Sequence, residues 1–225
     1  MKIALNQKEK NKTHKAYSYD KNFLLGPWTT QSLYRDPIHL SFVLARYKFV
    51  ARMLTGKKNV LEVGCGDAYG TPVVAQFVDS VLGVDIDEKI IVSDQARMKD
   101  FRNIRFEVMD FRLSTPQEIF AAVYSIDVIE HIDAHLNKIF MGNICKSLKK
   151  DGVCIIGTPN ITSEKYHSEG SRFYHINLHS FSSLKKLMNN YFENVFMFSM
   201  NDETVHTGFA PMAHYLFGMG AGVKK

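Results

Sequence analysis

From Asn59 onward the chain alternates short β-rich runs with helical stretches, and this rhythm constrains the fold more than any other feature. The β-rich runs fall at 60–63, 80–85, 104–110, 121–126, 153–157 and 194–200, with helical stretches at 71–79, 88–99, 129–150 and 182–191. Strands separated by helices imply parallel βαβ units with right-handed crossovers. Several runs are apolar throughout, as expected where helices cover both faces of a sheet. The expected fold is α/β, a doubly wound Rossmann-like sheet whose ligands sit beyond the carboxyl ends of the strands.

Before this core, residues 1–22 are polar and Lys-rich and are expected to form a mobile or late-ordering arm. The apolar patch 23–28 ends in a turn signal at Gly26-Pro27 and carries Trp28, the single tryptophan. Asp36-Pro37 then predicts a helix start, since Asp can cap free N–H groups and Pro at the first helical position loses none. Val43, Tyr47, Val50 and Leu54 give that helix one apolar face, and Gly56 closes it.

Composition narrows the partners. The 28 Lys+Arg against 23 Asp+Glu leave a mild +5, which permits an anionic partner without demanding one. No apolar run reaches the roughly 18–20 residues needed to span a bilayer, and the N-terminus has no apolar signal region, so no membrane partner is expected. Cys65, Cys145 and Cys154 fit neither a disulfide framework nor a CxxC zinc site, and a reducing cytoplasm is the simplest compartment.

The most informative stretch runs Val60-Leu61-Glu62-Val63-Gly64-Cys65-Gly66-Asp67-Ala68-Tyr69-Gly70. A strand enters a glycine turn and then a helix. Gly64 and Gly66 let the backbone approach a ligand closely, and the helix N-terminus beyond favours a polar or negative group. The spacing G-x-G-x-x-x-G is one residue longer than the dinucleotide fingerprint. The next strand delivers Asp85, a carboxylate able to accept from both hydroxyls of a ribose. A third strand ends in Asp110-Phe111, an acceptor for an adenine amine beside a ring that can pack on the base.

These residues resemble the class I S-adenosylmethionine-dependent methyltransferases over roughly residues 55–200. VLEVGCGDAYG looks like their first motif, GVDID their acidic second-strand motif and VMDF their adenine-contact motif. The resemblance implies a seven-stranded, mostly parallel sheet with an antiparallel last strand at its edge, here read at 214–219. It implies two regions, an N-terminal arm and cap helix at 1–55 and an S-adenosylmethionine-binding domain at 56–225. Carried over, Gly64 and Gly66 would line the methionine moiety and Asp85 would hold the ribose. Ile86 would pack on adenine, and Asp110 and Phe111 would contact the base. Glu62 and Asp67 would hold the loop or reach the amino group, and Ile126 completes the expected cofactor-binding set.

After the fourth strand comes Asp127-Val128-Ile129-Glu130-His131. If a helix begins near Asp127, positions 127, 130 and 131 fall within about a 100° arc. Two carboxylates and an imidazole on one face could hold Mg, Mn, Fe or Zn with open positions for substrate, and such a metal could lower the pKa of a substrate hydroxyl. The D-x-x-E-H pattern resembles that of the ubiquinone-biosynthesis O-methyltransferases, where it looks like a metal-binding element. The competing readings are Asp127 and Glu130 as a capping box, and His131 as a metal-free general base. Thr158-Pro159-Asn160 resembles a strand-end motif of the same relatives. The polar insertion 161–178 that follows holds His167, Tyr174 and His175, with His179 just beyond it. His175 is the preferred partner of the cluster, as metal ligand or second catalytic residue, and His179 a helix lead-in.

Tyr17, Trp28, Tyr34, His39 and Arg46 precede the core; Trp28, Tyr34 and Arg46 could close the pocket, and Arg46 could pair with a carboxylate or phosphate. DNA amino-methyltransferases resemble one another in an N-P-P-Y-like tetrapeptide, where this chain reads Ser125-Ile126-Asp127-Val128. No basic patch interleaved with aromatics suggests nucleic acid. The expected acceptor is therefore an oxygen nucleophile on a small molecule: a phenol, a sugar hydroxyl, or a phosphorylated or nucleotide-linked precursor of a surface polysaccharide, with a slight lean to an anionic one. A monomer or a homodimer, the latter through the Met-rich apolar tail, fits the sequence. The rival classes are a nicotinamide oxidoreductase and a non-catalytic methyltransferase-like scaffold.

Overall fold

A computed structural model of the chain describes residues 22–166 and 168–224. The expectations for the N-terminal arm up to residue 21, Tyr17 included, and for His167 fall outside the described residues. Two helices come first, α1 (Pro27–Arg35) and α2 (Pro37–Met53). The Asp36 carboxylate accepts from the His39 N–H at 3.2 Å, so the Asp-Pro start of α2 forms as its chemistry predicts. Then follow β1 (Asn59–Val63), α3 (Thr71–Ala75), β2 (Ser80–Asp85), α4 (Glu88–Arg97), β3 (Ile104–Val108) and β4 (Phe120–Ile126). Beyond lie α5 (Asn137–Ser147), β5 (Leu148–Pro159), α6 (Glu169–Tyr174), α7 (Phe181–Asn189), β6 (Phe192–Asn201), β7 (Thr204–His206) and β8 (Tyr215–Val223).

The strands form one sheet in the order β3-β2-β1-β4-β5-β8-β6-β7. The first five run parallel, and β8 runs antiparallel to both β5 and β6. Side chains alternate across the sheet. Val60 and Tyr124 join the core under α2 and α3, while Leu61 and Val123 join the core under α5 and α7. Fully buried Phe140 and Phe192 anchor the second layer, each contributing about 2–3 kcal/mol by burial. None of the described helices is long and apolar enough to cross a membrane.

The sheet differs from the expected seven strands in two respects. It has eight, because the chain reverses through Asp202-Glu203 and pairs Thr204–His206 back onto β6; Asp202 takes the left-handed φ of +48° that such a two-residue turn needs. The last strand is not at the edge. It is inserted between β5 and β6 and pairs with both over almost its whole length. The single helix expected over 129–150 is also broken up. Ile129–His131 and Ala134–Leu136 are separate 3₁₀ turns, because Ile132 and Asp133 adopt extended ψ angles of 130° and 135°. α6 arises inside the insertion read as loop.

Candidate active site

At the end of β1 the chain turns through Gly64 (φ +76°) and Gly66 (φ +53°), both left-handed. A Cβ on Gly64 would strike the Val128 side chain, and one on Gly66 the Trp28 ring. Both positions therefore require glycine for conformation and for space. Asp85 at the end of β2 fixes this turn: one oxygen accepts from the Gly66 N–H at 3.0 Å and the other from the Asp87 N–H at 3.0 Å. Asp110 is gripped by the Arg112 guanidinium, which draws its carboxyl below the usual range, and the Phe111 carbonyl accepts from the Asn143 amide at 2.8 Å.

Together these groups line a cavity of about 520 Å³ beyond the carboxyl ends of β1, β2 and β4. Gly64, Gly66, Asp85, Ile86, Asp110 and Phe111 all contribute to its wall. Glu62 and Ile126, expected in the same set, do not. Ile126 is packed in the sheet core against Gly157. Glu62 lies buried beneath the loop, where its carboxylate accepts from the Thr71 hydroxyl at 2.6 Å.

Burial pushes the Glu62 carboxyl up to about 7, against the Thr71 hydrogen bond that favours its charged form. Between about 4.5 and 7 the folded chain thus holds a proton that the unfolded chain has released. The resulting stability is complete below that window and is lost as pH rises through it. Glu62→Gln should remove this loss, leaving the variant more stable than the parent at pH 8 by on the order of 3 kcal/mol. Asp94, raised to about 7 mainly by burial, keeps a residual slope. Thermal melts from pH 4.5 to 8 check this; an unaltered pH slope in the variant would refute it.

The cap closes over the glycine loop. Asp67 accepts from the Thr29 N–H (2.8 Å) and hydroxyl (2.9 Å), capping the first turn of α1 from across the chain. Trp28 lines the cavity, whereas Tyr34 is 85% exposed and does not. The Asp67 carbonyl accepts from Arg97, which also pairs with buried Asp94. Sequence reasoning missed Arg97 and Thr29, although Thr29 sits where the helix opened by Pro27 exposes an N–H.

Asp127 does not begin a helix. It takes a left-handed φ of +58° and pairs with Arg46 Nη1 at 2.6 Å, while the Arg46 guanidinium lies 4.0 Å from the Tyr215 ring centroid. The kink separates Asp127 from the other three expected ligands. Glu130, His131 and His175 instead form a group with ligand atoms within 4.8 Å of one another. Glu130 is fully buried; Thr158 donates to one of its oxygens at 3.0 Å, and the other has no partner among the described residues. Burial and the Asp127 charge push its carboxyl well above the usual range. His131 Nδ1 lies 3.1 Å from the Tyr174 carbonyl, and its ring packs edge-on against His175 at 4.9 Å. A donating Nδ1–H leaves the Nε2 lone pair of His131 available.

Asn177 locks this arrangement: its N–H donates to the Glu130 carbonyl and its side-chain amide to the Ile129 carbonyl. Its long-range role left no mark in the sequence. His179 is not one of this group; it lies buried beside the Ser183 hydroxyl at 3.2 Å as a lead-in to α7.

A second cavity of about 650 Å³ opens between α2, the end of β5 and the β6–β7 turn. Asp127, Ser171 and His175 line both cavities. The Glu130–His131–His175 group contributes to both walls, so it straddles their junction.

A glycine turn at β1, acids ending β2 and following β3, and mostly parallel strands define the Rossmann-like class I methyltransferase fold. The chain belongs to the methyltransferase domain family, whose match covers residues 38–195. It is 30% identical over 116 residues to a protein of Mycolicibacterium smegmatis named a probable S-adenosylmethionine-dependent methyltransferase, a stretch covering 51% of this chain and 42% of that protein. It is 33% identical over 141 residues to the ubiquinone biosynthesis O-methyltransferase of Haemophilus ducreyi, covering 58% of each. The chain thus spans between two fifths and three fifths of these relatives' length. Among solved structures, N-methyltransferase NodS of Bradyrhizobium japonicum in complex with S-adenosyl-L-homocysteine shares the fold. Its TM-score is 0.61 at 14% identity, covering 96% of this chain and 99% of that one.

Proposed function

We propose that the chain transfers a methyl group from S-adenosylmethionine to a hydroxyl oxygen of a small molecule, assisted by a divalent cation. The observation that carries this reading is the meeting of two cavities at Glu130, His131 and His175. The first cavity fits the donor: Asp85 offers a carboxylate for the ribose, Ile86 and Phe111 offer apolar surface for the base, and Gly64 and Gly66 bring bare main chain to its wall. The triad fits a cation, since the second Glu130 oxygen is buried and unpartnered and His131 has its tautomer set by the Tyr174 carbonyl. When bound, S-adenosylmethionine supplies an electrophilic methyl carbon and the cation supplies Lewis acidity.

The chain's own task is to bring the acceptor oxygen in line with that carbon and to dispose of its proton. His131 Nε2 would take the proton if no cation is held. The Asp127–Arg46 pair stiffens the shared wall. The names of the ubiquinone relatives favour oxygen over nitrogen as nucleophile. The candidate acceptors are a phenol, a sugar hydroxyl or a glycan precursor.

The test is calorimetric titration of S-adenosylmethionine into chelator-treated protein, followed by Mn²⁺ binding read by electron paramagnetic resonance. We expect micromolar donor affinity without metal, and one bound Mn²⁺ that Glu130→Gln reduces at least tenfold. Donor binding without any Mn²⁺ site would leave His131 as a metal-free base. No donor binding by folded protein would overturn the transferase reading.

A further inference from the structure

We infer that the second cavity receives the uncharged, polyhydroxylated body of the acceptor, a pyranose-like ring, and not a phosphate or carboxylate. This inference rests on the transferase reading and names its substrate class. The cavity is large enough for a sugar ring, at about 650 Å³.

Its charges exclude an anion. Arg46 is the sole Arg among the described lining residues, which include no lysine, and its guanidinium is closed by Asp127 at 2.6 Å and rests on Tyr215. The Arg46–Asp127 pair is neutral overall and so offers an anion no net positive charge. Lys165 places its ammonium over the Tyr166 ring at 4.7 Å. Asp202 adds a further carboxylate to the wall. His39 and His214 are both held below the usual imidazole range, chiefly by burial and then by Arg46, which favours their neutral forms.

What remains suits hydroxyl groups set on an apolar ring. The rings of His39, Phe42 and His214 form a continuous wall, with centroids 6.3 Å and 6.1 Å apart. Such faces pack against the C–H surface of a sugar. Asn201, Asp202 and Ser163 add polar groups around that wall, and His214 Nε2 is buried with no partner among the described residues. Neutral imidazoles can both donate to and accept from hydroxyls.

The test uses full-length protein loaded with S-adenosyl-L-homocysteine and labelled with ¹³C at the histidine rings. Methyl α-D-glucopyranoside and glucose 6-phosphate are titrated separately, with His39→Gln and His214→Gln assigning the signals. The inference expects the glucopyranoside to shift the His39 and His214 resonances at millimolar concentration, with the phosphate binding no more than fivefold tighter. Tyr166→Ala should weaken the neutral sugar while leaving S-adenosyl-L-homocysteine affinity unchanged. A phosphate more than fivefold tighter, or silence from both sugars, overturns the inference. Failure to load S-adenosyl-L-homocysteine at all would instead sink the transferase reading, and the inference with it.

Discussion

Asp85→Ala should weaken S-adenosylmethionine binding about a hundredfold. In the free protein this carboxylate already accepts two backbone N–H bonds, from Gly66 and Asp87, which hold it at the cavity wall. A carboxylate has about four lone-pair sites, so capacity remains for two ribose hydroxyls. Hydrogen bonds to charged groups contribute about 1.5–3 kcal/mol each, and the loss of two amounts to about 3 kcal/mol. Calorimetry of Asp85→Ala checks this, with Asp85→Asn separating charge from shape. A variant that keeps its affinity within threefold, with the glycine loop intact, would remove Asp85 from the donor site.

His131→Ala should have the larger effect on turnover and the smaller one on donor binding. The ring belongs to the Glu130–His131–His175 group, and its Nδ1 is engaged by the Tyr174 carbonyl. On the proposed reading its Nε2 acts on the acceptor oxygen, as ligand or as base. General-base catalysis alone accounts for about 10²- to 10⁴-fold. The expected result is a fall in kcat of that order, with donor affinity changed less than threefold. An unchanged rate would take His131 out of the mechanism. Excess Mn²⁺ distinguishes the two roles, since it should partly restore a variant that has lost a ligand and should not restore one that has lost a base.

Those parts of the site that depend on local chain chemistry were legible in the sequence. Gly64, Gly66 and Asp85 stand out because a left-handed turn after a buried strand, followed by an acid one βα unit later, leaves few residue choices. Arg46 was legible as a cation that could pair with a carboxylate or a phosphate. Its partner was not, because Asp127 lies 81 positions away and takes a left-handed kink that no local pattern announces. That kink is why the arc drawn for positions 127, 130 and 131 fails while Glu130 and His131 still meet His175. The additional strand β7 escaped notice because it is three residues long, and α6 because its polar sequence offers no apolar stripe. Ile126 shows the opposite error: a residue next to a motif, turned to the core by strand alternation.

The insertion of β8 between β5 and β6 bears on how the molecule assembles. The five parallel strands all precede residue 160, and they carry the first cavity. β6 and β7 pair with each other, but they reach the rest of the sheet only through β8. β8 also brings Tyr215, under the Arg46 guanidinium. On a ribosome the donor half can therefore become compact first, and the wall of the second cavity is finished only when the latest strand slides into the gap. Shortening that strand would release a two-stranded ribbon with bare edges, turning a folding delay into a route to aggregation.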